Sequence, residues 1–112
     1  MSEEIDVLDA FAAAVDAGRP VVLATIVRAR GSTPRSVGSR MAIEPDRAST
    51  GTIGGGCGEA EVLEEARAAI VDGRARLVRV DLTDDLYSWS PAVCGGRFDV
   101  LLEPWMPPDP TR

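Results

Sequence analysis

Histidine, lysine, asparagine and glutamine are all absent from this 112-residue chain, so every basic side chain is one of 12 arginines. Without His there is no Ser-His or Cys-His pair and no imidazole ligand for a metal. Without Lys there is no Walker A loop and no Schiff base. The two cysteines, Cys57 and Cys94, lie far apart with no CxxC spacing, which argues against a structural zinc site. No segment is long and apolar enough to span a bilayer. The acidic N-terminus (MSEEIDVLDAF) has neither the basic start nor the apolar stretch of a signal peptide. The reading is therefore a cytoplasmic protein whose cysteines are free thiols or a chemical site. A net charge of −6 gives the chain as a whole no attraction to nucleic acid or to anionic membranes.

What is present fits one globular domain, with 45% hydrophobic and 27% charged residues. A domain this small buries only part of its apolar surface, which leaves room for homodimerisation or docking on a partner. Helical spacing of Ile5, Leu8, Phe11, Ala12 and Val15 predicts a helix over 3–17, stopped by Gly18. Val21 to Val27 is an almost continuously apolar strand, central in a sheet. Residues 30–38 (RGSTPRSVG) read as loop, and Arg40 to Glu44 and Ser49 to Ile53 as a hairpin. A second helix starts near Cys57 or Gly58, turns Ala60, Leu63, Ala66, Ile70 and Val71 inward, and ends at Gly73. Strands follow at Ala75 to Leu82 and Arg97 to Glu103. The expected class is α+β, a mixed sheet of about five strands with two helices packed on it. The domain is placed at 1–104, with a Pro-rich tail over 105–112.

Three constellations carry possible chemistry. Gly54, Gly55 and Gly56 between a strand and a helix cost backbone entropy, and close approach of backbone amides to an anion at a helix start would explain them. Cys57 at that start would have its thiolate favoured, although Glu59 and Glu61 neutralise part of the dipole. A tight turn with an inert buried thiol explains the run about as well. Next, Ala17 to Ile43 holds Arg19, Arg28, Arg30, Arg35 and Arg40 and no acidic residue. Around the RGSTPRSVG loop these guanidinium groups, with hydroxyls such as Ser32, suit an oxyanion; the plain alternative is a solvated loop paired with the acidic second helix. Last, Cys94-Gly95-Gly96 ahead of the final strand forms either an amide nest or an ordinary turn.

Taken in order, ATIVRARGSTPRSVGSRMAI (24–43), GTIGGGCGEAEVLEEA (51–66) and VCGGRFDVLLEP (93–104) resemble the N-terminal domain of the XdhC/CoxI family, maturation factors of xanthine dehydrogenase, CO dehydrogenase and related molybdenum hydroxylases. The resemblance implies a chaperone, rather than a catalyst with turnover, that binds molybdenum cofactor and delivers it to the apo-enzyme while a cysteine desulfurase supplies the sulfido ligand. By the same resemblance Cys57 contacts molybdenum or its sulfur, and Cys94 is a second thiol. The amides of Gly54, Gly55, Gly56, Gly95 and Gly96, with Ser32, Arg35 or Arg40, take the anionic pterin phosphate. Gly58 replaces a larger apolar residue usual in the family, and Pro91 interrupts a segment that is often glycine-rich. Many members continue into a Rossmann domain, so the expectation is a single-domain member or one half of a pair with a separate Rossmann chain. Two other functions fit the same residues: sulfur transfer through a Cys57 persulfide, and an interaction module whose glycines are only turns.

Overall fold

A computed structural model describes residues 3–31, 33, 36–47, 49–51, 59–81 and 96–108. The elements are α1 (Glu3–Asp16), β1 (Val21–Arg30), β2 (Arg40–Ile43), β3 (Thr50–Gly51), α2 (Glu59–Asp72), β4 (Arg76–Asp81) and β5 (Arg97–Trp105). They form one five-stranded sheet in the order β3-β2-β1-β5-β4. The α+β class, the strand number, the two helices, the central place of β1 and the β2–β3 hairpin follow the sequence. All four pairings are antiparallel rather than mixed. The reason lies in the crossover after β3: α2 carries the chain past the whole sheet, so β4 joins the far edge against β5 instead of lying beside β3.

Alternation along the strands sorts the side chains between two faces. Val22, Ala24, Ile26, Val78, Val80, Phe98, Val100 and Leu102 form a continuous apolar layer under α2, closed by Val62 and Ala66. Each fully buried Val, Leu, Ile or Phe in this layer is worth about 1.5–3 kcal/mol over an exposed one. On α2, Leu63, Ala66 and Ile70 point inward as expected, whereas Val62 and Ala69 take the places expected of Ala60 and Val71. Val71 is 88% exposed. Asp72 in the last turn of α2 opposes the helix dipole, and Arg76 answers it with ion pairs to both Asp72 and Glu65. The Arg76 guanidinium, followed by the backbone N–H of Arg74, holds the Asp72 carboxyl below its ordinary pKa, and Asp72 in turn raises that of Arg76.

The opposite face carries α1, which packs on β1, β2 and β3 through Val7, Phe11, Ala14 and Val15 against Val21, Leu23, Ala42 and Trp105. The helix is rotated from the expected stripe, leaving Ile5 and Leu8 exposed. Small residues decide this: Ala10, Ala14 and Gly51 let the helix come close to the sheet. A Cβ at Gly51 would stand 2.5 Å from Val7 Cγ2 and 2.8 Å from the Arg40 carbonyl oxygen, and the φ of +85° is already one that favours glycine.

Two strand ends differ from the sequence reading. β1 runs on past Val27 to Arg30 because the pairing with β5 slips by one residue between Ile26 and Arg28, a bulge of one extra residue. β5 continues to Trp105, which the sequence assigns to the tail, and its indole packs in the α1 cluster. β4 reaches only to the partner of Leu102, so Pro104 lies on a stretch with an open edge, where its missing N–H costs no bond on that side. Among the described residues no helix is long and apolar enough to cross a membrane.

Candidate functional site

The strand directions bring three separate segments to one end of the sheet. β1 finishes there at Arg30, and β2 starts there, with Arg40 opposite Thr25. β3 finishes there at Gly51, opposite Met41, while β4 finishes and β5 begins there with Asp81 opposite Arg97. The 31–39 loop, the segment following Gly51 and the segment preceding Gly96 therefore all join the sheet at this Arg30 end. These are the three stretches that the sequence singles out. Cys57, Gly54, Gly55, Gly56, Cys94, Gly95, Ser32 and Arg35 lie outside the described residues. Of the remaining candidates, Gly96 is buried immediately before β5, and Arg40 is half-buried at the start of β2. Among the described residues no group of three or more His, Cys, Asp or Glu could hold a metal ion.

Two of the arginines from the one-sided block reach this end on the α1 face of the sheet, beyond the part on which α1 packs. The bulge at Val27 decides their direction. Unbroken alternation after Ile26 would turn Arg28 and Arg30 into the layer under α2. With the extra residue absorbed, Ala29 packs there instead, and Arg28 and Arg30 fall in line with Asp99 and Arg97 on the other face. Bulges commonly re-aim side chains in this way. Across β5, Asp99 is opposite Arg79 and Arg97 is opposite Asp81. Arg28, Arg30, Arg79 and Arg97 line a recess of about 210 Å³ together with Phe98 and Asp99.

Asp99 is the one buried charged residue recorded among the described residues. Its carboxylate accepts a hydrogen bond from Arg79 Nε at 3.2 Å, and its side chain is 6% exposed against 61% for Arg79. Sequence reasoning missed Arg79, Arg97 and Asp99. The available signal was their placement at non-core positions of two strands, but only the strand register joins them to Arg28 and Arg30.

A second, smaller recess of about 90 Å³ lies at the opposite end, lined by Arg19, Glu44, Asp46 and Arg47 together with two prolines. There Arg19 Nε donates to Glu44 Oε1 at 2.7 Å. Charges balance at that end. In the lining of the recess at the Arg30 end, four guanidinium groups accompany one carboxylate, Asp99, among the described residues.

The XdhC and CoxI family pattern matches residues 14–81, well over half of the chain. The chain belongs to the XdhC and CoxI family. Among relatives, the molybdenum cofactor insertion chaperone PaoD of Escherichia coli (strain K12) is 36% identical over 66 residues, which is 59% of this chain and 21% of PaoD. The uncharacterised protein YqeB of the same organism is 35% identical over 83 residues, 74% of this chain and 15% of YqeB. A crystal structure of a xanthine dehydrogenase from Bacillus halodurans superposes with a TM-score of 0.73 at 31% identity, covering 93% of this chain and 30% of that one. This XdhC and CoxI family chain thus spans between 15% and 30% of the length of these relatives.

Proposed function

We propose that this chain is a maturation factor for a molybdenum hydroxylase, holding molybdenum cofactor at the Arg30 end of the sheet and passing it to the apo-enzyme. The observation that carries the reading is the convergence of strand ends. The GSTPR loop, the GGGC run and the CGG run are far apart in sequence, yet they adjoin strand ends at the same end of the sheet, the end that holds a recess rich in arginine. Family membership supports a maturation role, and the name of PaoD supports insertion of the cofactor in particular.

The donor set at this end fits an anionic, sulfur-bearing cofactor. Guanidinium groups match phosphate and oxyanion geometry, and a thiolate suits molybdenum better than it suits hard cations. In this reading Cys57 is the molybdenum or sulfur contact and Cys94 the second thiol. The amides of Gly54, Gly55, Gly56, Gly95 and Gly96, with Ser32, Arg35 and Arg40, surround the anionic part. When bound, the cofactor brings the molybdenum centre that a client enzyme needs for hydroxylation; this chain binds, orients and shields it. Sulfuration in concert with a cysteine desulfurase is the finer form of the same role.

The test is anaerobic co-purification from a molybdenum-replete host, with molybdenum measured per protein by elemental analysis. The wild type should carry the metal and Cys57→Ser should lose most of it while keeping its melting temperature. Equal retention in the two proteins would contradict the reading and favour an interaction module.

A further inference from the structure

We infer that the recess formed by Arg28, Arg30, Arg79 and Arg97 is a binding site for a phosphate dianion. The phosphate chemistry stands on the recess alone; that the phosphate is the one carried by the pterin cofactor rests on the reading above, and adds these four side chains to the residues proposed there for the anionic part.

Four observations converge on it. First, the guanidinium groups come from three strands, β1, β4 and β5, in a chain with a net charge of −6. Random placement on an acidic surface would pair them with carboxylates. Of the four, Arg79 is the one with a recorded ion pair among the described residues, and its partner Asp99 is nearly fully buried. Asp99 therefore works as a fixed support that orients Arg79, while Arg28, Arg30 and Arg97 have no ion pair among the described residues.

Second, Arg30 stands directly opposite Arg97 across β1 and β5. Like charges in facing positions of a sheet destabilise it. Asp81 stands opposite Arg97 on the other side, on the edge strand β4. A bound dianion would turn the repulsion into attraction. Third, the Val27 bulge is what turns both β1 arginines to this side. Fourth, a hollow of about 210 Å³ is large enough for a phosphate group with part of its carrier. Arginine forks can hold phosphate oxygens two at a time, and all four side chains are exposed, open to a ligand from solvent.

The experiment is calorimetric titration of the full chain with inorganic phosphate, at low and at high salt, for the wild type, Arg30→Ser, Arg97→Ser and Arg47→Ser. Arg47 belongs to the balanced recess at the other end and serves as the control. The wild type should bind phosphate, more weakly as salt rises. Arg30→Ser and Arg97→Ser should each lose about tenfold or more in affinity, whereas Arg47→Ser should keep it. Melting of the phosphate-free protein separates a lost ligand contact from a damaged fold. Removing either member of the facing arginine pair should leave the melting temperature unchanged or raise it.

No phosphate binding by the wild type, or equal affinity in wild type, Arg30→Ser and Arg97→Ser, would overturn the site. So would an equal loss in Arg47→Ser. The carrier is tested separately by molybdenum content: Arg97→Ser should retain less metal than wild type. Unchanged retention alongside weakened phosphate binding would assign the recess to a free phosphate or another phosphomonoester and overturn the cofactor assignment. Wild-type molybdenum levels in Cys57→Ser would sink the cofactor reading while leaving the phosphate titration to stand or fall alone.

Discussion

The two faces of the one sheet follow different rules. Under α2, strands β1, β4 and β5 present Val, Ile, Leu, Phe and Ala without interruption, and the helix seals them. On the other side α1 covers β3, β2 and the first half of β1, and stops there. The remainder, which neither described helix covers, carries Arg28, Arg30, Arg79, Arg97 and Asp99. Adjacent residues of β5 show the contrast most sharply: Phe98 is 1% exposed in the apolar layer, and Asp99, one position on, is buried among guanidinium groups. One face is arranged for stability, and the half of the other that neither described helix covers holds exposed arginines, which as a rule contribute little to folding. Side chains kept where they do not stabilise are the natural place to look for a ligand.

Substitutions on the two faces should therefore separate stability from binding. The largest loss is expected for Phe98→Ala, which deletes a fully buried ring from the α2 layer and should cost about 3–5 kcal/mol in urea unfolding. A cost below about 1 kcal/mol would mean that the layer is not the core. Gly51→Ala tests the covered half of the other face. Its Cβ would collide with Val7 and with the Arg40 carbonyl at a backbone angle unsuited to alanine, so a loss of about 1–3 kcal/mol is expected. Asp99→Asn should cost about 1 kcal/mol, because its partner Arg79 is mostly exposed and solvent screens the pair. Phosphate binding should survive that change, since a negative charge is being removed from the recess rather than a donor.

The smallest effect concerns Asp72, whose carboxyl is held below its ordinary value by Arg76 and then by the Arg74 N–H. A lowered folded-state pKa contributes stability that is present above the ordinary carboxylate value and is lost as pH falls through the lowered one. Asp72→Asn should therefore flatten the acid side of the stability–pH curve slightly and leave neutral pH behaviour of the Arg30 end untouched. A steeper acid limb in the variant would contradict the assigned sign.

Much of the α2 face was legible in the sequence because alternation within single strands reports burial directly: Phe98, Val100 and Leu102 are spaced two apart, as a half-buried strand requires. The helix faces were less so. α1 turned toward Val7 and Ala14 instead of Ile5 and Leu8, because close approach at Gly51 outweighed the size of the side chains on the stripe. Arg28 and Arg30 stood out through the one-sided charge of their stretch. Arg79 and Arg97 did not, because the recess comes from pairing three strands in register and from a bulge at Val27 that no local pattern announces. Cys57 and Cys94 were chosen from motif spacing, and they lie outside the described residues.

The central claim, that the Arg30 end of the sheet handles the cofactor, is tested most directly by anomalous diffraction at the molybdenum edge from anaerobically purified, loaded protein. The account predicts a single molybdenum peak beside the strand ends marked by Arg30, Gly51 and Gly96. A peak at the other end of the sheet, next to Arg19 and Glu44, would contradict it.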